Sequence, residues 1–132
     1  VPLFHAVSRP AALLAPAAGE ELPLETLRGE TVVCVAGIAR PSRFFQAAAA
    51  AGARVAAALP FPDHHPYSAA DLSAVAERAG REKGAIVLIT EKDLARLPRE
   101  AAARLPRLRA LLMETLVEEG PAFTALLERA AS

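Results

Sequence analysis

A single cysteine, Cys34, leaves no internal disulfide framework and no multi-cysteine zinc site, and it fits a reducing compartment. Tryptophan is absent, tyrosine occurs once and aromatics make up 5% of the residues, so the core must come from Val, Leu, Ile and five Phe. Net charge is missing too, because 15 Lys plus Arg balance 15 Asp plus Glu over 132 residues. Binding nucleic acid through its phosphates calls for a basic surplus, so no nucleic-acid partner is expected. No apolar run approaches the roughly 18 residues that cross a bilayer as a helix, and the start of the chain lacks a basic leader followed by an apolar segment. Met113 is the only methionine, so Val1 is expected to be a processing point or a boundary within a longer protein. Three motifs are also absent from the sequence: the phosphate loop G-x-x-x-x-G-K-[ST], the dinucleotide fingerprint G-x-G-x-x-G and the nucleophile elbow G-x-S-x-G.

What is present is a strand and helix alternation. Residues 1–28 carry Pro2, Pro10, Pro16, Pro23 and Gly19 between short apolar groups, a spacing that argues against a long helix or a central strand and suggests a linker or edge segment. From Thr31 the run Thr31-Val32-Val33-Cys34-Val35-Ala36, closed by Gly37, has the composition of a strand buried on both faces. Pro41 then opens a helix over 42–51 that Gly52 stops. Arg54 to Leu59 is a second strand, and Ser68 with Asp71 forms a capping-box start to a helix that ends near Gly80. Ala85 to Ile89 is the clearest strand and should sit centrally, with short helical turns expected over 93–97 and 100–105. Leu108 to Val117 contains a fourth strand, and Gly120-Pro121 is expected to begin a terminal helix through Arg129. The series predicts an α/β fold, a three-layer α/β/α sandwich around a mostly parallel, Rossmann-like sheet over residues 29–132.

In such sheets ligands gather at the carboxyl ends of the strands, which singles out three loops. Gly37 to Arg43 places Arg40 and Arg43 near a helix N-terminus, where an anion can bind; a tight turn with solvated arginines is the alternative. Phe61-Pro62-Asp63-His64-His65-Pro66-Tyr67 holds two of the three histidines beside a carboxylate, between prolines that restrict the backbone. A histidine near its ordinary pKa can accept or donate a proton at neutral pH, so the loop suggests a general acid/base or a partner to one. Adjacent histidines point in different directions and no third His or Cys lies nearby, so a complete zinc set is not visible. Thr90-Glu91-Lys92-Asp93 offers a hydroxyl, two carboxylates and an ammonium, suited equally to binding polar substrate groups and to capping a helix.

Taken in order, residues 35–45 (Val-Ala-Gly-Ile-Ala-Arg-Pro-Ser-Arg-Phe-Phe), 61–67 (Phe-Pro-Asp-His-His-Pro-Tyr) and 89–93 (Ile-Thr-Glu-Lys-Asp) resemble the C-terminal half of the tetraacyldisaccharide 4'-kinase family of lipid A biosynthesis. That family carries a-G-I-[AG]-x-P-x-R-F-F, F-x-D-H-x-x-[YF] and T-E-K-D in this order, and the resemblance extends over nearly the whole chain. It implies a kinase that transfers the γ-phosphate of ATP, with Mg²⁺, to the 4'-hydroxyl of a lipid A disaccharide precursor, making lipid IVA at the cytoplasmic face of the inner membrane. It further implies that ATP and the metal are held mainly by an N-terminal P-loop domain of the same chain, which also docks on the membrane surface. Residues 1–28 would then lead from that domain, and residues 1–132 alone would be inactive. The family's catalytic histidine maps onto His64, with Asp63 orienting it. Arg40, Arg43, Tyr67, Thr90, Glu91, Lys92 and Asp93 are candidates for contact with substrate or with the other domain. Two rival readings remain: a metal-dependent phosphoesterase of the Asp-His-His type, which needs further Asp-rich motifs not found before Cys34, and a non-catalytic α/β binding module.

Overall fold

The computed structural model describes residues 4–119 and 122–124. A buried sheet follows directly from the apolar runs. β3 (Thr31–Ala36) lies between β5 (Ile86–Thr90) and β4 (Arg54–Pro60), and β6 (Leu108–Glu119) pairs the other side of β5, all four strands parallel. Because side chains alternate along a strand, Val33, Val35, Val87 and Ile89 enter one apolar cluster while Val32, Cys34, Ile86 and Leu88 enter another. The first cluster is covered by α2 (Ala69–Gly80), α3 (Glu91–Arg96) and the segment around α4 (Arg99–Ala102), and the second by α1 (Pro41–Ala50) and a 3-10 turn at Leu24–Leu27. The result is the expected three-layer α/β sandwich. Cys34 is fully buried in it, and burial pushes its thiol up to about 12, which leaves it a protonated core side chain.

Of the two expectations for residues 1–28, a linker or an edge segment, the structure shows the second, with the strand Phe4–Ala15 paired on both sides. Phe4–Ala15 form β1, antiparallel to β6, and Glu20–Pro23 form β2 on the far side of β1, so the sheet order is β2-β1-β6-β5-β3-β4. The prolines are accommodated for a physical reason. Pro10 sits at a bulge between Pro10 and Ala12, on the part of β1 that β2 does not reach, since β2 pairs only Ala12 to Ala15. A proline is best tolerated at such a bulge, where the ladder is already interrupted. Leu13 and Leu27 are both fully buried, so this segment contributes to the core.

The terminal helix expected after Gly120-Pro121 is also corrected, because Ala122–Thr124 form β7, antiparallel to β6 with Glu119 opposite Ala122. A Gly-Pro dipeptide marks a chain reversal as readily as a helix start. The remainder of that helix, through Arg129, lies outside the described residues, as does the side chain of His5.

The topology fixes where a site can form. From β3 the chain crosses to β4 through α1 on one face, then returns past β3 to β5 through α2 on the other face. The connections diverge between β3 and β5, and the loops after these strands open a crevice there. No helix among the described residues is long and apolar enough to cross a membrane.

Candidate active site

Asp93 ties the three loops together. Thr90 ends β5 and caps α3, its Oγ1 accepting the Asp93 N–H at 3.0 Å, which turns the Asp93 carboxylate inward to complete burial. Four donors meet that carboxylate. Oδ2 accepts the Gly37 N–H at 3.0 Å and the Thr90 hydroxyl at 2.6 Å, and Oδ1 accepts the Tyr67 hydroxyl at 3.0 Å and Arg96 Nη1 at 3.2 Å. A buried charge is tolerable only when paired and hydrogen-bonded, and here both oxygens are satisfied. Burial, with the neighbouring Asp93 charge and their shared hydrogen bond, pushes the Tyr67 phenol well above its ordinary value, so it remains a donor.

Gly37 is required by close approach. A Cβ there would lie 3.0 Å from the Pro62 carbonyl oxygen, 3.0 Å from the Tyr67 hydroxyl and 3.2 Å from Asp93 Oδ1. Gly37→Ala is therefore expected to destabilise the chain by about 1–3 kcal/mol, read as a lower urea midpoint. An unchanged midpoint would show that the loops have room to part.

The two histidines are separated by their surroundings. His65 is locked: Nε2 lies 2.8 Å from Asp71 Oδ2, and its ring stacks on Phe61 at 5.0 Å and meets Tyr67 edge-on at 5.2 Å. Asp71 also accepts the Ser68 N–H in the capping box of α2, and these bonds, the Ser68 one foremost, hold its carboxyl below the usual range. The latch is thus fully formed at neutral pH and is lost as the pH falls through that lowered value. His64 is the opposite case, with 79% of its side chain exposed. Its backbone is left-handed, φ 58°, a conformation costly for a non-glycine residue, and it is held there by its N–H donating to the Gly37 carbonyl at 3.1 Å. Its ring Nδ1 lies 2.9 Å from Arg96 Nη2. Asp63 Oδ2 stands 3.7 Å from His64 Nε2, beyond hydrogen-bond distance, so Arg96 and not Asp63 holds the ring.

The remaining candidates line an adjoining groove of about 450 Å³ on the α1 side of the crevice. Arg40, Arg43 and Lys92 stand around an apolar floor that includes Ile38, Phe44, Leu111 and Met113. Glu91 also lines it, and its Oε1 is buried without a hydrogen-bond partner. Among the described residues no group of three or more His, Cys, Asp or Glu could hold a metal ion. The structure therefore gathers His64, Tyr67, Thr90 and Asp93 around Gly37, and Arg40, Arg43, Glu91 and Lys92 around the groove.

The family model for tetraacyldisaccharide-1-P 4'-kinase matches residues 1–132. The chain belongs to this family. A tetraacyldisaccharide 4'-kinase of Rhodopseudomonas palustris (strain BisA53) is 45% identical over 100 residues, 76% of this chain and 29% of that protein. One from Anaeromyxobacter dehalogenans (strain 2CP-C) is 44% identical over 112 residues, 84% of this chain and 30% of that protein. The crystal structure of LpxK from Aquifex aeolicus in complex with ATP superposes with a TM-score of 0.58 at 26% identity, covering 87% of this chain and 32% of that one. The chain thus spans under a third of the length of the relatives it matches. Within the 4'-kinase family segment, the site residue that sequence reasoning missed is Arg96. The signal was present as a spacing of three from Thr90 to Asp93 to Arg96, which stacks the three side chains on one side of a short helix.

Proposed function

We propose that this chain is the C-terminal α/β part of a tetraacyldisaccharide 4'-kinase, with His64 at the cleft where the lipid A precursor is phosphorylated. The observation that carries this reading is the pairing of a family match over residues 1–132 with an exposed, conformationally strained and ring-anchored His64 at the carboxyl end of the sheet. In this reading the N-terminal P-loop domain of the same chain binds ATP and Mg²⁺. Residues 1–28 enter the present domain from it by way of β1. Bound there, ATP supplies the γ-phosphoryl group and Mg²⁺ neutralises its charge. The residues of this chain act by position: His64 offers its ring to an oxygen or carboxylate across the cleft, and Arg40, Arg43 and Lys92 attract an anionic group of the disaccharide 1-phosphate. Phosphoryl transfer asks little covalent chemistry of a protein and much orientation and charge stabilisation, which such a surface supplies. The product is lipid IVA, and the enzyme works peripherally at the cytoplasmic face of the inner membrane through the N-terminal domain. The test is the reading frame upstream of Val1: G-x-x-x-x-G-K-[ST] leading into a helical pattern is expected, and a frame without it overturns the proposal.

A further inference from the structure

We infer that Arg96 is a positioning residue that fixes which nitrogen of His64 faces the reacting groups. This rests on the reading of His64 given above. A guanidinium has five N–H donors and no acceptor, so the 2.9 Å contact between Arg96 Nη2 and His64 Nδ1 is made only with the lone pair of an unprotonated Nδ1. The neutral ring must then carry its proton on Nε2. Arg96 has little freedom to release it. Nη1 of the same guanidinium donates to the Gly37 carbonyl at 3.1 Å and to Asp93 Oδ1 at 3.2 Å, and only 22% of the Arg96 side chain is exposed. Behind it, Asp93 is wholly buried and is held by Gly37, Thr90 and Tyr67.

The backbone of His64 is tied to the same reference point, since its N–H and Arg96 Nη1 share the Gly37 carbonyl oxygen. Ring and backbone are thus both referred to one loop of the rigid sheet, although the imidazole itself stands in solvent. The consequence is chemical. With Nδ1 engaged and Nε2 protonated, His64 presents an N–H that Asp63 Oδ2, 3.7 Å away, does not engage in a hydrogen bond: it is a donor free to hold an acceptor oxygen in place, and it has no free lone pair with which to act as a base. Thr90, Asp93 and Tyr67 then act through Arg96, which gives Thr90 and Asp93 a role away from the substrate, while Glu91 and Lys92 of the same segment line the groove.

The first test reads the ring of the unaltered protein and uses a variant only for assignment. In the complete kinase labelled with ¹⁵N-histidine, with His64 assigned by the loss of its signals in His64→Gln, Nε2 should be protonated and Nδ1 unprotonated. A protonated Nδ1 in the neutral ring overturns the inference. In Arg96→Leu the two tautomers should mix. The same substitution should lower kcat about 10- to 100-fold with KM moved by less than about 2-fold, and Arg96→Lys should recover part of the loss. In a His64→Ala background it should cost nothing more, because a residue that acts through His64 has nothing left to position. An equal loss with and without His64 would show a merely structural role. Should His64→Ala leave turnover unchanged, the reading of His64 fails, while the ¹⁵N tautomer still decides the role of Arg96.

Discussion

Replacing His64 by alanine in the complete protein, if it is the 4'-kinase proposed above, is expected to lower kcat by about 10²- to 10³-fold, the usual cost of removing one preorganised donor aimed at developing charge. His65→Ala should lower it by less than about 10-fold, with most of its effect on stability. The contrast comes from the surroundings of the two rings. His65 spends its polar atom on Asp71 and its faces on Phe61 and Tyr67, so truncating it opens a gap in the loop and costs about 1–3 kcal/mol. His64 packs against no ring, and its Nε2 has no hydrogen-bond partner among the described residues, so truncating it costs the fold little. Steady-state kinetics on both variants, beside their urea midpoints, separates the two effects. Equal losses of kcat would remove the distinction between the histidines.

The largest stability effect is expected at Asp93. Asp93→Ala leaves the Gly37 N–H, the Thr90 and Tyr67 hydroxyls and one Arg96 donor without their acceptor, around a carboxylate that is wholly buried. Breaking a buried charge pair from one side costs about 3–5 kcal/mol, a large share of a domain's stability. Asp63→Ala, at a carboxylate 46% exposed with its one ion-pair contact at 3.7 Å, should stay within about 0.5 kcal/mol. The measurement is the urea midpoint of this chain at constant m-value. Equal midpoints for the two variants would mean that the Asp93 network holds nothing together.

These two residues also show how far the sequence could be read. The parallel half of the sheet was legible because β3 and β5 are short, β-branched apolar runs ended by Gly37 and Thr90, a pattern that fits a doubly covered strand. Those strand ends located the three loops, and the loops do converge. The order of importance inside them was not legible. A charged residue is most often exposed, so nothing in Thr90-Glu91-Lys92-Asp93 marks its last member as the buried one. The Arg96 contact with His64 spans 32 positions and exists only once β3, β4 and β5 are side by side. β1 was hidden for the same reason: its partner β6 lies about a hundred residues away, and local proline spacing outweighed the apolar Leu13-Leu14 pair. At Ala122–Thr124 the local signal fitted helix start and chain reversal alike, and the unpaired edge of β6 decided between them.

Transfer of labelled γ-phosphate from ATP to tetraacyldisaccharide 1-phosphate tests whether this chain is the His64-bearing part of a lipid 4'-kinase. Transfer by the complete protein, its loss with His64→Ala and none by residues 1–132 alone are the expected results. Transfer that survives His64→Ala undiminished, or turnover by the 132 residues alone, would contradict it.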